Sequence, residues 1–314
     1  MPGLTPLDLC IRIPFCPVRC AFCDRSVQAL GQEPTALLER YAAALRREAE
    51  ASAEDFRDCE LRNIRIGGGI AGHLFDESLG ELLSDIRRLY HVAQDAQITM
   101  KCHPGMISAE TLNTCRRGGV NRLSIEYPTA HVFENEPLGR FLTPDAMDVT
   151  AIVLKGSGLR LSMDVLYGLP GQTSASLTET LRKCVAYGAE HLRLLPLREV
   201  SGTPFADSWV PAHAKSTSPR YHLPTAEERG ALLTAAETWL RQAGFVRYLD
   251  GCYARPSHES AYLINRSRNA ALLGFGAGAE TVLDGMRSTT VASVERYCRC
   301  SPDPVLLTDR IRPL

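Results

Sequence analysis

Three cysteines within eight residues carry the most specific chemical signal in this sequence. Cys16, Cys20 and Cys23 stand in a C-x3-C-x2-C spacing, with an aromatic residue before the last of them. Three thiolates on one loop can bind three irons of a [4Fe–4S] cubane and leave the fourth iron open to an exogenous ligand. A structural zinc ion would need a fourth protein ligand. The spacing therefore favours an iron–sulfur cluster over zinc, and Cys298 with Cys300 form the only rival pair.

A glycine triplet is the second chemical feature. Gly67, Gly68 and Gly69 stand directly after a β-like run, one β-α unit beyond the cysteines. Because glycine has no Cβ, its backbone amides and carbonyls can approach a ligand closely. A plain turn explains a triplet equally well by itself, but the position after a cysteine loop favours a ligand-binding loop.

The elements that must position these residues alternate between short β-like runs and amphipathic helices. Strands are predicted over 8–13, 62–66, 97–102, 122–126, 160–166 and 191–195, and helices over 35–51, 77–90, 108–117, 144–155, 176–186 and 226–243. Repeated β-α units favour a parallel sheet with right-handed crossovers and with chemistry on the loops after the strands. We therefore predict an α/β fold, a partial (β/α)6 TIM-like barrel over 1–198, followed by a linker and a small C-terminal α+β extension over 199–314.

The composition limits the class of protein. Of the 314 residues 45% are hydrophobic, enough for a full core, and the net charge of −1 gives no electrostatic footprint for nucleic acid or an anionic membrane. No apolar run approaches the roughly 18 residues that span a bilayer, and the N-terminus lacks a secretory signal pattern. We expect a cytoplasmic protein with no nucleic-acid or membrane partner, in which clustered cysteines bind metal.

The run at 11–23, IRIPFCPVRCAFC, resembles the cluster loop of radical S-adenosylmethionine (SAM) enzymes. More narrowly, it resembles the oxygen-independent coproporphyrinogen III oxidase-like family, which includes haem chaperones and class C radical SAM methyltransferases. Further landmarks are GVNRLSI at 119–125, DVLYGLPGQT at 164–173, GTPF at 202–205, YARP at 253–256 and LGFGAGA at 273–279. The resemblance implies a radical SAM barrel without the family's usual terminal helical domain. It also implies a [4Fe–4S] cluster, one or two SAM molecules and a flavodoxin- or ferredoxin-type reductant.

The resemblance also assigns SAM-binding roles. The Gly67–Gly69 loop would meet the methionyl amino group, and Asp164 would accept hydrogen bonds from the ribose hydroxyls. Arg140 would bind the SAM carboxylate, Phe22 would pack near adenine, and Arg198 would complete the site. A turn acid, a surface arginine and a core aromatic are the alternative readings of Asp164, Arg140 and Phe22.

Several positions depart from the family pattern. The usual Tyr and His of the first strand are Cys10 and Arg12, and the usual ribose-contacting Gln after the fourth strand is Pro128. The usual Glu at the end of the third strand is Lys101, which would pair with the SAM carboxylate or with Glu126, or else face solvent. Glu126 and Glu280 would hold a cationic substrate or accept protons, so the candidate catalytic residues are Lys101, Glu126 and Glu280.

These departures argue against coproporphyrinogen oxidation, and the haem-chaperone motif His-Asn-x-x-Tyr-Trp is replaced by YLINRS at 262–267. We favour a tailoring enzyme that acts on a small-molecule substrate of specialised metabolism by C-methylation or related carbon–carbon bond formation. The alternative is a one-SAM enzyme that abstracts hydrogen from the substrate or adds to it. A third hypothesis, from another class of protein, is a non-catalytic haem or metal chaperone.

Overall fold

The computed structural model describes residues 3–23, 25–30, 35–70, 76–139, 144–198, 201, 203, 223–303 and 307–314. Its strands are β1 Thr5–Ile13, β2 Phe15–Cys16, β3 Gln28–Ala29, β4 Cys59–Gly68, β5 His91–Cys102, β6 Arg122–Glu126, β7 Arg160–Tyr167, β8 Ala189–Pro196, β9 Val246–Leu249, β10 Cys252–Ala254, β11 Leu272–Phe275, β12 Glu280–Leu283, β13 Met286–Thr290 and β14 Thr308–Pro313. Its α-helices are α1 Thr35–Ser52, α2 Asp76–Leu89, α3 Ala109–Arg117, α4 Val132–Asn135, α5 Pro144–Leu154, α6 Ser174–Ala186, α7 Ala226–Gln242, α8 Ala261–Ser267 and α9 Val294–Cys300. The chain forms two compact units, one of Met1–Pro17, Ser26–Leu123 and Ser260–Leu314 and one of Val18–Arg25 and Ser124–Glu259.

The first unit is built on a mixed sheet with strand order β14-β13-β12-β11-β1-β4-β5. The pairs β11–β1, β1–β4 and β4–β5 are parallel, and β11 to β14 continue as an antiparallel meander. Strand β1 is central, and its alternate residues Leu9, Ile11 and Ile13 are fully buried. These aliphatic side chains drive the helices onto one face of the sheet and leave the other face for polar residues.

The second unit pairs β7 with β8 in parallel and adds β10 and β9 as antiparallel strands. Its longest helix, α7, begins with a capping box in which the Thr225 side chain accepts from the Glu228 amide and Glu228 reaches back to the Thr225 amide. A second capping box at Thr173 and Ser176 begins α6. Local hydrogen bonding therefore sets where both helices start.

The prediction of an α/β fold with a parallel sheet is confirmed. Strand β6 spans the predicted residues 122–126, and Ser108 caps α3 by accepting from the Thr111 amide, as its residue type indicates. The division at residue 198 stays a prediction, and much of the predicted linker lies outside the described residues. No helix in the described ranges is long and apolar enough to cross a membrane.

Candidate functional site

The cysteine loop begins in the first unit at a short parallel ladder. Phe15 pairs with Gln28 and Cys16 with Ala29, so β2 and β3 close the loop at its base. The Gln28 amide donates to the Pro14 carbonyl at 2.7 Å, and the Leu30 amide donates to the Cys16 carbonyl at 2.9 Å. Backbone bonding therefore holds the two ends of the loop together at its base.

The rest of the loop belongs to the second unit. The Cys23 amide donates to the Cys20 carbonyl at 3.1 Å, and the Ala21 amide donates to the Leu138 carbonyl at 2.9 Å. Phe22 packs against an apolar cluster of Leu138, Leu166, Leu169 and Leu197, which gathers around the ends of β7 and β8. The predicted adenine-side aromatic thus lies on an apolar surface that a flat heterocycle can share.

The three glycines of the triplet differ in how strongly the fold requires glycine. A Cβ on Gly69 would stand 2.4 Å from the Phe15 carbonyl oxygen, and Gly68 has a φ of +109°, so the fold itself requires glycine at both. A Cβ on Gly67 would meet its nearest neighbour, the Lys101 Cβ, at 3.4 Å. The packing of the described neighbours therefore does not require glycine at position 67, unlike at positions 68 and 69.

Strand register determines which side chains of the first unit share a face. Because Cys10 pairs with Arg65 and Arg65 with Thr99, alternate residues of β1, β4 and β5 project to the same side. We call this side the polar face; it comprises Asp8, Cys10, Arg12, Asn63, Arg65, Gly67, Gln97, Thr99 and Lys101. Its charges are separated, with an acid at the amino ends of the strands and three cations nearer the carboxyl ends.

Lys101 is 1% exposed, which excludes the solvent-facing alternative. Arg12 lies along Gly68, since a Cβ there would come within 2.5 Å of the Arg12 Cγ. The Arg65 guanidinium lies over the ring of buried Tyr262, 5.8 Å from its centroid. The positive end of the polar face therefore surrounds the glycine loop, which suits an anionic group of a ligand.

The acidic end of the polar face forms hydrogen bonds and an ion pair with neighbouring side chains. Asp8 accepts hydrogen bonds from Asn63 at 2.7 Å and Asn265 at 3.2 Å, and lies 3.6 Å from the Arg266 guanidinium. Burial raises the pKa of Asp8, and these partners oppose the rise. Because Asp8 is engaged by neighbouring side chains, we assign it a structural role.

The glycine-rich run at 273–279 is anchored from α1. Glu48, 7% exposed, accepts from the Gly276 amide at 2.9 Å and from the Tyr297 hydroxyl at 2.5 Å. The Tyr41 hydroxyl donates to the Arg12 carbonyl at 2.7 Å and accepts from the Ala277 amide at 2.9 Å. These bonds hold the run against the end of β1.

The second unit contains Asp164, buried at 4% exposure on β7. Its register partner on β8 is Arg193, whose guanidinium lies 3.7 Å from the Asp164 carboxylate. The backbone around Asp164 is fixed as well, because the Tyr127 amide donates to its carbonyl at 2.9 Å. A buried carboxylate beside a cation can accept hydrogen bonds from ligand hydroxyls, as predicted for ribose.

The other predicted site residues differ in exposure. Glu126 is half-buried at the end of β6, whereas Glu280 at the start of β12 and Arg198 beyond β8 are exposed. Arg140 lies outside the described residues. The roles of all four stay predictions.

Sequence reasoning missed Arg193, and with it the polar side chains His191, Tyr248 and Cys252 in the second unit. The available signal was the alternation of His191 and Arg193 along β8, matched by Ser162 and Asp164 along β7. This signal can be interpreted only when the register between the two strands is known, and the sequence of a single strand does not determine that register.

The fold and these residues define an α/β protein with a three-cysteine loop after its first long strand. Residues 10–184, more than half of the chain, match the Radical SAM superfamily. The chain therefore belongs to the radical SAM superfamily and is a radical SAM enzyme.

Named relatives lie in the narrower family that the sequence resembles. The chain is 29% identical over 281 residues to "Heme chaperone HemW" of Escherichia coli (strain K12), covering 89% of this chain and 71% of that protein. It is 27% identical over 289 residues to the protein of the same name from Bacillus subtilis (strain 168), covering 91% and 74%. The structure of the radical SAM enzyme coproporphyrinogen III oxidase (HemN) from Escherichia coli matches with a TM-score of 0.83 and 21% identity, covering 100% of this chain and 73% of that chain. The resemblance to this family is confirmed, and the structural match shows the shared fold.

The cofactors follow from family membership: a [4Fe–4S] cluster and SAM. The donor chemistry fits, because Cys16, Cys20 and Cys23 are partly accessible thiols that form no disulfide. Among the described residues, no group of three or more His, Cys, Asp or Glu side chains is gathered as a metal site. The assignment of these three cysteines therefore rests on their type and spacing.

Proposed function

We propose that this radical SAM enzyme reductively cleaves SAM and tailors a small organic molecule by C-methylation or a related carbon–carbon bond formation. The observation that supports a catalytic role is the burial of charged side chains on carboxyl-terminal parts of parallel strands, Lys101 at 1% and Asp164 at 4% exposure. Buried charges contribute little to stability even when paired. Strand ends are also where barrel enzymes carry their reactive groups. Both points support catalysis over a purely structural use of these residues.

The chain's residues divide the work of binding. Cys16, Cys20 and Cys23 would hold the cluster, and the chemistry that the cluster would supply when bound is the one-electron reductive cleavage of SAM. Gly67 leaves space for the methionyl end of SAM, and Asp164 accepts from the ribose hydroxyls. The electron comes from a flavodoxin- or ferredoxin-type partner.

The side chains that replace the family's usual residues on the polar face favour a substrate other than coproporphyrinogen. Where the family usually has Tyr and His, Cys10 lies beside the hydroxyl of Tyr262 and Arg12 lies along Gly68. Lys101 adds a further positive charge at the place of a usual Glu. A face with this charge and these side chains is suited to a ligand with an anionic group near the SAM loop.

The experiment uses the anaerobically reconstituted protein, dithionite and CD3-labelled SAM with an extract of small metabolites from the source organism. The proposal predicts 5′-deoxyadenosine together with a metabolite that has gained a deuterated carbon, detected by mass spectrometry. Formation of 5′-deoxyadenosine with an unlabelled, dehydrogenated or rearranged metabolite would instead favour the one-SAM alternative. An adenosylated metabolite would favour radical addition.

Haem binding is the second candidate, favoured by the similarity over 89% of the chain to a protein named heme chaperone. Against it, the segment in place of the haem-chaperone motif forms α8, where Tyr262 is buried between Arg65 and Arg266. Titration with haem separates the candidates. Stoichiometric haem binding without any SAM cleavage would support a chaperone and contradict the catalytic proposal.

A further inference from the structure

Two neighbouring strands of the second unit place an arginine beside the proposed ribose-binding acid. Asp164 and Arg193 are register partners on β7 and β8, with 3.7 Å between guanidinium and carboxylate. Their side chains are 4% and 20% exposed, so solvent screens the pair weakly. The Asp164 carboxylate raises the pKa of Arg193, and the arginine remains cationic throughout the physiological range.

Arg193 is in turn held by other polar side chains. Cys252, its register partner on β10, hydrogen-bonds to Arg193 and also to Tyr248. The Tyr248 hydroxyl lies 2.8 Å from the His191 Nε2 atom, and the His191 Nδ1 atom lies 2.5 Å from the Ser162 hydroxyl. Side chains from four strands thus connect Ser162 to Arg193 and restrict the orientation of its guanidinium.

Stability gives a weak reason for this arrangement. A buried ion pair can often be replaced by apolar side chains without loss of stability, because desolvating both charges offsets their attraction. Ligand binding gives a stronger reason, since an ionised carboxylate accepts hydrogen bonds only and a ribose offers two hydroxyl donors. A fixed cation next to the acid favours that ionised, accepting form.

We propose that Arg193 is a positioning residue for SAM, which holds the Asp164 carboxylate in one orientation so that its oxygens accept from the ribose hydroxyls. The proposal rests on the SAM-binding role of Asp164 in the function proposed above. It deepens that role, because neither the cysteine loop nor the glycine loop explains why Asp164 has a cationic neighbour at 3.7 Å.

The test is equilibrium binding of SAM to the anaerobically reconstituted protein, measured by dialysis with radiolabelled SAM. Arg193→Met removes the charge and retains an unbranched apolar stem, Arg193→Lys keeps the charge, and Asp164→Asn removes the acceptor charge. The double variant Arg193→Met/Asp164→Asn completes the cycle. Arg247→Met is the matched control, because it removes the two ion pairs of an exposed arginine in the same unit.

Arg193→Met is expected to weaken SAM binding at least about tenfold, with Arg193→Lys retaining most of the affinity. On the Asp164→Asn background, Arg193→Met is expected to cause little further loss, and Arg247→Met none on the wild-type background. Equal losses from Arg193→Met on both backgrounds, or wild-type affinity in Arg193→Met, would overturn the inference while leaving the proposed function intact. Absence of SAM binding by the wild-type protein would overturn both.

Discussion

Lys101 lies against Gly67, with its Cβ 3.4 Å from the position that a Cβ on Gly67 would occupy. Two residues further on, a Cβ on Gly69 would collide with the Phe15 carbonyl oxygen at 2.4 Å. Glycine is therefore present at the two positions for different reasons. Gly69 allows close packing of backbone, whereas Gly67 leaves a space beside a buried cation.

Alanine at these two positions should affect different properties, ligand affinity at Gly67 and stability at Gly69. Gly67→Ala is expected to fold with a thermal midpoint near that of the wild type and to bind SAM about tenfold more weakly, because the methyl group occupies ligand space. Gly69→Ala should lower the thermal midpoint, because the backbone must move to relieve the clash. Calorimetry and SAM binding measure both effects. Wild-type SAM affinity in Gly67→Ala would show that this glycine does not face the cofactor.

Replacing Lys101 tests whether the buried positive charge serves a ligand. Lys101→Met keeps the length and apolar character of the stem but removes the charge, so we expect about a tenfold loss of SAM affinity. Lys101→Arg should retain more affinity than Lys101→Met. Lys183→Met is the control, since Lys183 is an exposed lysine on α6. Equal affinities of Lys101→Met and the wild type would contradict this role.

Glu48 predicts a pH dependence of stability. Burial raises its pKa from 4.5 to about 7, with the Tyr297 and Gly276 hydrogen bonds opposing the rise. Between these values the folded state retains a proton that the unfolded state releases. The contribution of Glu48 to the free energy of unfolding therefore falls as pH rises through this window, by up to about 3 kcal/mol.

Glu48→Gln should remove this contribution, because the amide stays neutral and can still accept from Tyr297. Thermal midpoints measured from pH 5 to pH 8 should then fall less steeply for Glu48→Gln than for the wild type. Glu81→Gln, at an exposed ion pair on α2, should keep the wild-type slope. Parallel slopes for Glu48→Gln and the wild type would show that Glu48 does not hold the extra proton.

The positions of the major elements could be predicted because they depend on local patterns. Alternating apolar residues and strand-end glycines identify β4, and the Ser108 side chain marks the start of α3. The short strands β9 to β14 have little pattern of their own, since their pairing with distant strands determines them. The bounds of these strands could therefore be determined only from the structure.

The part of the candidate site that could be predicted is the part whose chemistry lies within one short segment. Cys16, Cys20 and Cys23 lie within eight residues, so their spacing indicates the cluster. The ion pair of Asp164 and Arg193 joins residues on two strands whose register decides the contact. The burial of Lys101 likewise depends on strands that pack around it. The sequence around Lys101 could therefore not decide between a buried and a solvent-facing side chain.

Radical SAM chemistry in this protein is tested by formation of 5′-deoxyadenosine from SAM by the anaerobically reconstituted, dithionite-reduced protein. The wild type is predicted to bind about four irons per chain and to form 5′-deoxyadenosine. Alanine at Cys16, Cys20 or Cys23 should abolish both, and Cys298→Ala should preserve both. Full iron content and undiminished 5′-deoxyadenosine formation in Cys20→Ala would contradict cluster binding by Cys16, Cys20 and Cys23.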